Sequence, residues 1–305
     1  MVICCYAPGR LDRLRASIDS AAAQLGPDDE LVVVVDHNDD LLAHLQPTAS
    51  PATRIVASDG PRGLSGARNT GVRTARGEVV VFLDDDASLT PGALAGLRVR
   101  LADETVVAVG GAVTAQWHSG TAPAWFPAEF GWVVGCDYRG LPAHGSAIRN
   151  PIGAAMAVRH AELTAVGGFS PHLGRRGRFP AGCEETLMGI ALRADFPRAE
   201  IVRDTAFEVH HHVAADRATI AYFLHRCFQE GRSKAVLAQL TSAGTALSSE
   251  RSYAVRILTS GLWRHRRTPS RALALVSGFA STTAGFVIGT IAVHLRRRHR
   301  EEPRA

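Results

Sequence analysis

Glu78-Val79-Val80-Val81-Phe82-Leu83-Asp84-Asp85-Asp86 is the stretch from which the fold of this 305-residue chain is read. The unbroken apolar run from Val79 to Leu83 predicts a strand buried on both faces, the pattern of a parallel sheet covered by helices. Three consecutive carboxylates at its end repel one another and raise each other's pKa unless a cation or hydrogen-bond donors compensate. Oxygen ligands just past the C-terminal end of a sheet strand suit Mg²⁺ or Mn²⁺ bridging two phosphates. The structural alternative is a solvated acidic turn that caps the following helix.

Toward the N-terminus, Val2 to Tyr6 reads as a buried strand, followed by a turn at Ala7-Pro8-Gly9 and a helix over Leu11 to Leu25. Leu31 to Val35 is a second unbroken run, ending in Asp36. A short helix near Leu41, a strand over Arg54 to Ala57 and a glycine-rich turn into a helix over Gly63 to Arg76 lead back to the central strand. Beyond the aspartates, Thr90-Pro91 offers a threonine N-cap and a first-turn proline to another helix. This alternation is the signature of a doubly wound α/β sheet. An acid at the position of Asp36 reaches a ribose or base in such a sheet, although acids after strands also simply form turns. A nicotinamide enzyme would need G-x-G-x-x-G where the chain has Ala7-Pro8-Gly9-Arg10, and no phosphate-binding G-x-x-x-x-G-K-[ST] occurs.

From Val106 the pattern changes. A strand over Val106 to Thr114 precedes an aromatic, proline-rich stretch with Trp117, Trp125, Phe126, Phe130, Trp132 and Tyr138. Such rings either wall a binding site or fill a core under a lid. A strand over Ile152 to Val158, a turn at Gly167-Gly168-Phe169, a helix over Glu184 to Arg193 and a strand-like Phe207-Glu208-Val209 follow. Asp216 to Leu240 reads as one amphipathic helix, whose Arg232 or Lys234 offers a cation to phosphate or forms a polar face. These elements make one compact unit over 1–240, with halves at 1–105 and 106–215.

After a connector at 241–271, Ala272 to Leu295 carries no formal charge over 24 residues. At about 1.5 Å per residue it is long enough to cross a hydrocarbon core of about 30 Å. Ser277, Ser281, Gly285 and Gly289 recur every fourth residue, a stripe that permits close helix–helix approach and a helix-mediated homodimer. Arg264, Arg266, Arg267 and Arg271 precede this segment, and Arg296, Arg297, Arg298 and Arg300 follow it in a basic tail at 296–305. Basic clusters beside an apolar segment point to anionic lipid headgroups rather than nucleic acid. Their near equality leaves the orientation of a span open, with an interfacial helix as the other reading.

With 46% hydrophobic and 21% charged residues and a net charge of +5, the composition is that of a folded protein and excludes wholesale disorder. The five cysteines, Cys4, Cys5, Cys136, Cys183 and Cys227, form no C-x-x-C pair and fit a reducing compartment better than a disulfide framework. Met1 to Tyr6 runs straight into a strand, so no signal peptide is expected.

Several motifs together carry a family resemblance. They are Val2-Ile3-Cys4-Cys5-Tyr6, Val32 to Asp36, Gly63-Leu64-Ser65-Gly66-Ala67-Arg68-Asn69-Thr70-Gly71, Phe82 to Asp86, Val166-Gly167-Gly168-Phe169 and Cys183-Glu184-Glu185. The chain resembles the family-2 glycosyltransferases over about residues 2 to 235. The resemblance implies a GT-A fold, a Rossmann-like mixed sheet flanked by helices, here with a C-terminal helical extension and membrane helix, and inverting chemistry that needs Mg²⁺ or Mn²⁺. By the same resemblance Tyr6 and Asp36 contact the base, Arg68 lies near the nucleotide, and Asp84 and Asp86 fill a D-x-D. Asp86 is then the direct metal ligand and Asp85 turns toward ribose or sugar. His210 and His212, which alternation points the same way, complete the metal or diphosphate site or form a solvated cluster. Glu184-Glu185 matches the family's acidic pair, whose second member is the base; Glu at that position leaves the choice between Glu184 and Glu185 open. Residues 106–215 become the acceptor half.

Trp125-Phe126-Pro127, Trp132 to Cys136 and Arg149 to Gly153 are also similar to transferases that elongate dolichyl- or polyprenyl-phosphate-linked sugars. The expected activity is transfer of a sugar from a nucleotide-sugar donor to a lipid-linked or cell-surface glycan at the cytoplasmic face of the membrane. Two other classes stay open on sequence: a Mg²⁺-dependent nucleotidyl- or phosphotransferase, and a non-catalytic membrane scaffold.

Overall fold

The structure, a computed structural model, describes residues 1–49, 52–175, 181–241 and 259–301, with side chains as far as Leu295. Most of the expected connector and the side chains of Arg296, Arg297, Arg298 and Arg300 lie outside the described residues. The strands are β1 (Val2–Cys5), β2 (Leu31–Val35), β3 (Thr53–Ala57), β4 (Val79–Asp84), β5 (Ala87–Leu89), β6 (Val106–Trp117), β7 (Ala155–Arg159) and β8 (Glu200–Val213). The helices are α1 (Leu11–Ala22), α2 (Asp39–Leu45), α3 (Leu64–Thr74), α4 (Ala93–Leu101), α5 (His160–Ala165), α6 (Glu184–Asp195), α7 (Ile220–Leu240) and α8 (Pro269–Glu301).

All eight strands join one sheet in the order β3-β2-β1-β4-β7-β6-β8-β5, so both halves of the chain share it. The unbroken apolar runs arise because the sheet is covered on both faces. Leu31, Val33 and Val35 pack into a core with Leu14 of α1 and Leu41 of α2, whereas Val32 and Val34 pack with Val72 of α3. β3, β2, β1 and β4 are parallel, β7 runs antiparallel to β4 and β6, and β5 runs antiparallel to β8. Strand order reverses at β1 and β4, and the crevice beyond their carboxyl ends is where such sheets bind ligands.

Two helix starts differ from the sequence reading. Ala87 to Leu89 adds to the sheet edge as β5, so the Thr90 N–H and hydroxyl both donate to the Glu208 carbonyl, at 3.0 and 3.2 Å. The next helix therefore begins at Ala93, after a left-handed Gly92. The helix expected from Asp216 begins at Ile220, where the Thr219 hydroxyl accepts from the Tyr222 N–H at 3.2 Å.

The small-residue stripe of α8 is occupied within the chain. A methyl group on Gly285 would collide with the Phe228 carbonyl of α7, and one on Gly289 would press on Ala235 and Arg232. The Ser281 hydroxyl donates to the Leu224 carbonyl at 2.8 Å. The face from which a helix-mediated homodimer was expected is thus covered by α7. On the other side of α8, Leu273, Val276, Val287, Ile288, Ile291 and Leu295 are exposed. Pro269–Leu295 is long and apolar enough to cross a membrane, with a mean hydropathy of 1.6 in its most apolar window.

The aromatic stretch divides between the two roles proposed for it. Phe130 packs against Phe223 of α7 and Phe279 of α8, with ring centroids 5.1 and 5.4 Å apart, and Phe126 packs beside Trp117 and Trp125. Phe130 also lines a cavity, together with Trp132 and Tyr138. Buried Glu129 pairs with Arg264 and with His265 at 3.1 Å, fixing the segment that leads into α8 to the body of the protein. Gly285→Leu is expected to separate α7 from α8 and to cost about 1–3 kcal/mol through overpacking. Thermal unfolding of the full chain checks this, and an unchanged midpoint would refute the packing.

Candidate active site

The aspartates hang from the end of β4, where Asp84 lies level with Cys4 of β1. β5 follows at once and pairs Ala87 with His211, which brings β8 alongside Asp86. The His212 N–H donates to the Asp86 carbonyl at 2.8 Å, and the His211 Nε2 lies 3.1 Å from an Asp86 carboxylate oxygen. His211, rather than His210 or His212, therefore faces the cluster. Phe207, Val209, His211 and Val213 all point into the core, so strand alternation sends His210 and His212 to the opposite side. There the His212 ring meets His118, with centroids 6.4 Å apart.

Asp86 is buried among cations: His211, Arg10 at 3.1 Å and Arg217 at 3.3 Å. Burial alone would raise its carboxyl, but these three hold it well below the usual carboxylate range. Burial would likewise lower the His211 imidazole, and Asp86 instead raises it to about 10. Asp85 accepts from Arg10 at 3.0 Å; burial and the neighbouring Asp86 push it up to about 6. Asp84 is the most exposed of the three. One ligand atom each from Asp84, Asp86 and His211 lie within 4.8 Å of one another, and two carboxylate oxygens with an imidazole nitrogen fit Mg²⁺ or Mn²⁺.

Across the site, Arg68 is 2% exposed and touches three carboxylates: Glu185 at 2.9 Å, Glu184 at 3.5 Å and Asp84 at 3.5 Å. It lines the cavity beside Asp84 and is the buried bridge between the aspartates and the glutamates. Its guanidinium lies 5.9 Å from the centroid of Phe82 and 5.4 Å from that of Phe169. Asn69 locks the Gly167-Gly168-Phe169 turn in place, donating to the Phe169 carbonyl and accepting from its N–H, both at 2.8 Å. A Cβ on Gly153 would meet the Glu185 carboxylate and the Arg68 guanidinium, so a side chain there would push that pair aside.

The two glutamates differ. Glu184 is buried, its Oε2 has no hydrogen-bond partner, and burial with the adjacent Glu185 raises its carboxyl to about 8 against the pull of Arg68. Glu185 is partly exposed. Asp36 spends one carboxylate oxygen on the Gly63 N–H at 2.9 Å, at the start of α3, and sets the other 2.7 Å from His37. A single cavity of about 780 Å³ is lined by Tyr6 and Asp36, by all three aspartates, and by Glu184 and Glu185. Arg10, Arg217 and His211 were missed from sequence. Period-2 burial from Phe207 to Val213 held the signal for His211, whereas the two arginines are brought in by tertiary packing alone.

Comparison with known proteins places this geometry in a class. The chain is 30% identical over 240 residues, 78% of its length, to the glucosyl-dolichyl phosphate glucuronosyltransferase of Haloferax volcanii, of which it covers 76%. Residues 1–131 match the family model of glycosyl transferase family 2. Over 84 residues, 27% of the chain and 24% of the relative, it is 39% identical to the succinoglycan biosynthesis protein ExoO of Rhizobium meliloti. The fold is that of the mannosyltransferase PcManGT from Pyrobaculum calidifontis, solved with GDP-Man and Mn²⁺ (TM-score 0.58, 18% identity, 94% of this chain and 85% of that one). It also resembles GalNAc-T7, solved with UDP, GalNAc and Mn²⁺ (TM-score 0.52, 13% identity, 84% and 53%). The chain is a glycosyltransferase of GT-A fold. It belongs to glycosyltransferase family 2, which sets aside the nucleotidyltransferase and scaffold readings.

Arg68→Met is expected to cost about 3–5 kcal/mol, because it leaves three carboxylates facing one another without their buried cation. Urea unfolding checks this, and a loss below about 1 kcal/mol would refute the bridge. Glu184 gives a pH signature. Folded, it keeps its proton to about pH 8, whereas unfolded it releases it near about 4.3. Its contribution is fully present below the lower value and is lost as pH rises to the upper one. Glu184→Gln should therefore come closest to the wild type at about pH 4 and be the more stable of the two at about pH 8.5; an equal stability difference at both pH values would contradict this.

Proposed function

We propose that this chain moves a sugar from a nucleotide-sugar donor to a sugar carried on an isoprenoid phosphate, by a single inverting displacement. The observation that carries the reading is the Arg68 bridge, which sets an acidic pair opposite an Asp-Asp-His cluster across one cavity. Asp84 and Asp86, with His211 once its imidazole gives up its proton, would hold Mg²⁺ or Mn²⁺, which when bound would offset the charge gathering on the departing diphosphate. Tyr6, Asp36 and the crevice at β1 and β4 receive the nucleoside. Glu185 takes the proton from the attacking acceptor hydroxyl, since it is the more exposed glutamate and Glu184 holds its own proton at neutral pH. Glu184 positions Arg68 from below.

The acceptor reading draws on the Haloferax relative, named for a glucosyl-dolichyl phosphate substrate, and on α8. Leu262 and Trp263, just before it in sequence, are exposed too, and the Arg266 guanidinium lies 4.2 Å from the centroid of the Trp263 ring, an aromatic and a cation together as at a lipid surface. All five cysteines are free thiols, which suits the cytoplasmic face. The catalytic unit is taken as 1–240, with residues 106–215 as its acceptor half.

A panel of nucleotide sugars, assayed for transfer with Mn²⁺ or Mg²⁺ and a lipid-phosphate-linked hexose, identifies the donor. Glu185→Gln should lower kcat by about 10²- to 10⁴-fold with nucleotide binding retained, whereas Glu184→Gln keeps most of the rate. Asp86→Asn should abolish the metal-dependent part of nucleotide binding. Wild-type turnover in the Asp86→Asn and Glu185→Gln variants would overturn the assignment.

A further inference from the structure

Helix α8 has two faces with opposite surroundings. Leu273, Val276, Ala280, Ala284, Ile288 and Ile291 follow one another every third or fourth residue, and all are exposed. That spacing makes them one stripe along the helix. No Asp, Glu, Lys or Arg interrupts the chain from Ala272 to Leu295, so the stripe is apolar from end to end. Just before it, Arg266 lies over the exposed Trp263 ring, and Arg264 and Arg267 are exposed in the same short segment. Arg296, Arg297, Arg298 and Arg300 follow it in sequence. A continuous apolar face with a ring and cations at its end matches the boundary between acyl chains and anionic headgroups.

The inner face decides how the helix meets that boundary. α7 lies against the middle of α8: a methyl group on Gly231 would strike the Thr282 carbonyl and the Phe286 backbone nitrogen, and one on Gly289 would press on Arg232. This turn of α7 carries Glu230 and Arg232, with Arg226 and Lys234 a turn to either side. Glu230 in turn accepts from the Cys183 thiol at 3.4 Å, next to the Glu184-Glu185 pair. Arg271 donates to the Ala124 carbonyl at 2.9 Å and Ser281 to the Leu224 carbonyl at 2.8 Å, so α8 is tied to the body at its start and at its middle. A helix crossing the bilayer would put its middle at the bilayer centre. With α7 attached, Arg226, Glu230, Arg232, Lys234 and the acidic pair would follow it into hydrocarbon, where ionised groups are expensive. No charge is moved when α8 lies flat.

We propose that α8 lies along one leaflet of an anionic bilayer and does not cross it, with its outer stripe among the acyl chains and the flanking arginines at the headgroups. Phe279, Thr282, Thr283 and Phe286 of the same helix line the catalytic cavity, and Thr283 is also exposed. The cavity therefore borders the leaflet surface, and a sugar on an isoprenoid phosphate reaches it without its chain leaving the bilayer. That last step rests on the acceptor reading above; the lie of the helix does not.

The test is labelling of the full chain by a membrane-impermeant maleimide in membranes of expressing cells. Ser270→Cys and Glu301→Cys mark the two ends of α8, and the unsubstituted chain, with its own free thiols, is the blank. Both cysteines should label from the same side of sealed membranes, and neither from the other until detergent is added. One end labelled from each side means a span and overturns the proposal. The purified chain should also float with vesicles containing phosphatidylglycerol about tenfold or more above phosphatidylcholine alone. The exposed pair Val287→Glu and Ile291→Glu, changed together, should lower that binding by about tenfold or more with the thermal midpoint unchanged. Equal flotation on both lipids, or flotation untouched by the paired substitution, overturns the proposal. So does a dimer in detergent-free solution that buries this face and does not float. Failure of the transferase reading looks different: no nucleotide sugar supports transfer, yet both ends label from one side.

Discussion

The structure depends on one buried guanidinium. Arg68, 2% exposed, holds Glu184, Glu185 and Asp84 together from the middle of the molecule. Without it three acids would meet in a poorly solvated space, where like charges repel and burial disfavours ionisation. The surroundings of Arg68 are built to its shape. Phe82 and Phe169 lie beside the cation, Gly153 leaves room for its pair with Glu185, and Asn69 pins the turn that carries Phe169. The same bridge sets the two walls of the cavity in register, so stability and chemistry are served by one side chain.

The sheet was readable because its strands are buried on both faces, which turns Val79–Leu83 and Leu31–Val35 into runs that no surface strand would show. Short and edge elements were less readable. β5 has three residues, too few to display a period, and its pairing with β8 is set by tertiary contact. Without it the next helix is read as starting too early, and nothing in the sequence places His211 beside Asp86. The alternating Phe207, Val209, His211 and Val213 already singled out His211, but the three adjacent imidazoles drew attention to parity among themselves instead of parity with the core. Arg10 and Arg217 left no pattern, since an arginine after a turn or in a short 3₁₀ segment looks like any surface cation until packing buries it beside Asp86.

The C-terminal helix shows how one composition serves two surfaces. Its glycines and serines lie against α7, where closeness of backbones is the attraction, and its aliphatic residues face outward. A small-residue stripe was therefore correctly read as a packing face; only the partner differed, an intramolecular helix in place of a second chain. Glu129, with Arg264 and His265, holds the approach to this helix, so α8 and the cavity it helps to line form one body.

The register of β5 on β8 also has a consequence for the order of assembly. Asp86 meets His211 and Arg217 only through a contact that closes well over a hundred residues of intervening chain. Closing so long a loop is entropically unfavourable and slow compared with local pairing. Until β8 arrives between β6 and β5, the three aspartates lack His211 and Arg217, two of the four cations that pair with them. A chain emerging from the ribosome can thus complete β1 to β4 early, yet its acidic cluster stays electrostatically frustrated until the last strand is in place. The capacity to hold a divalent ion is in this sense a late product of folding, acquired only by a molecule whose sheet is already whole.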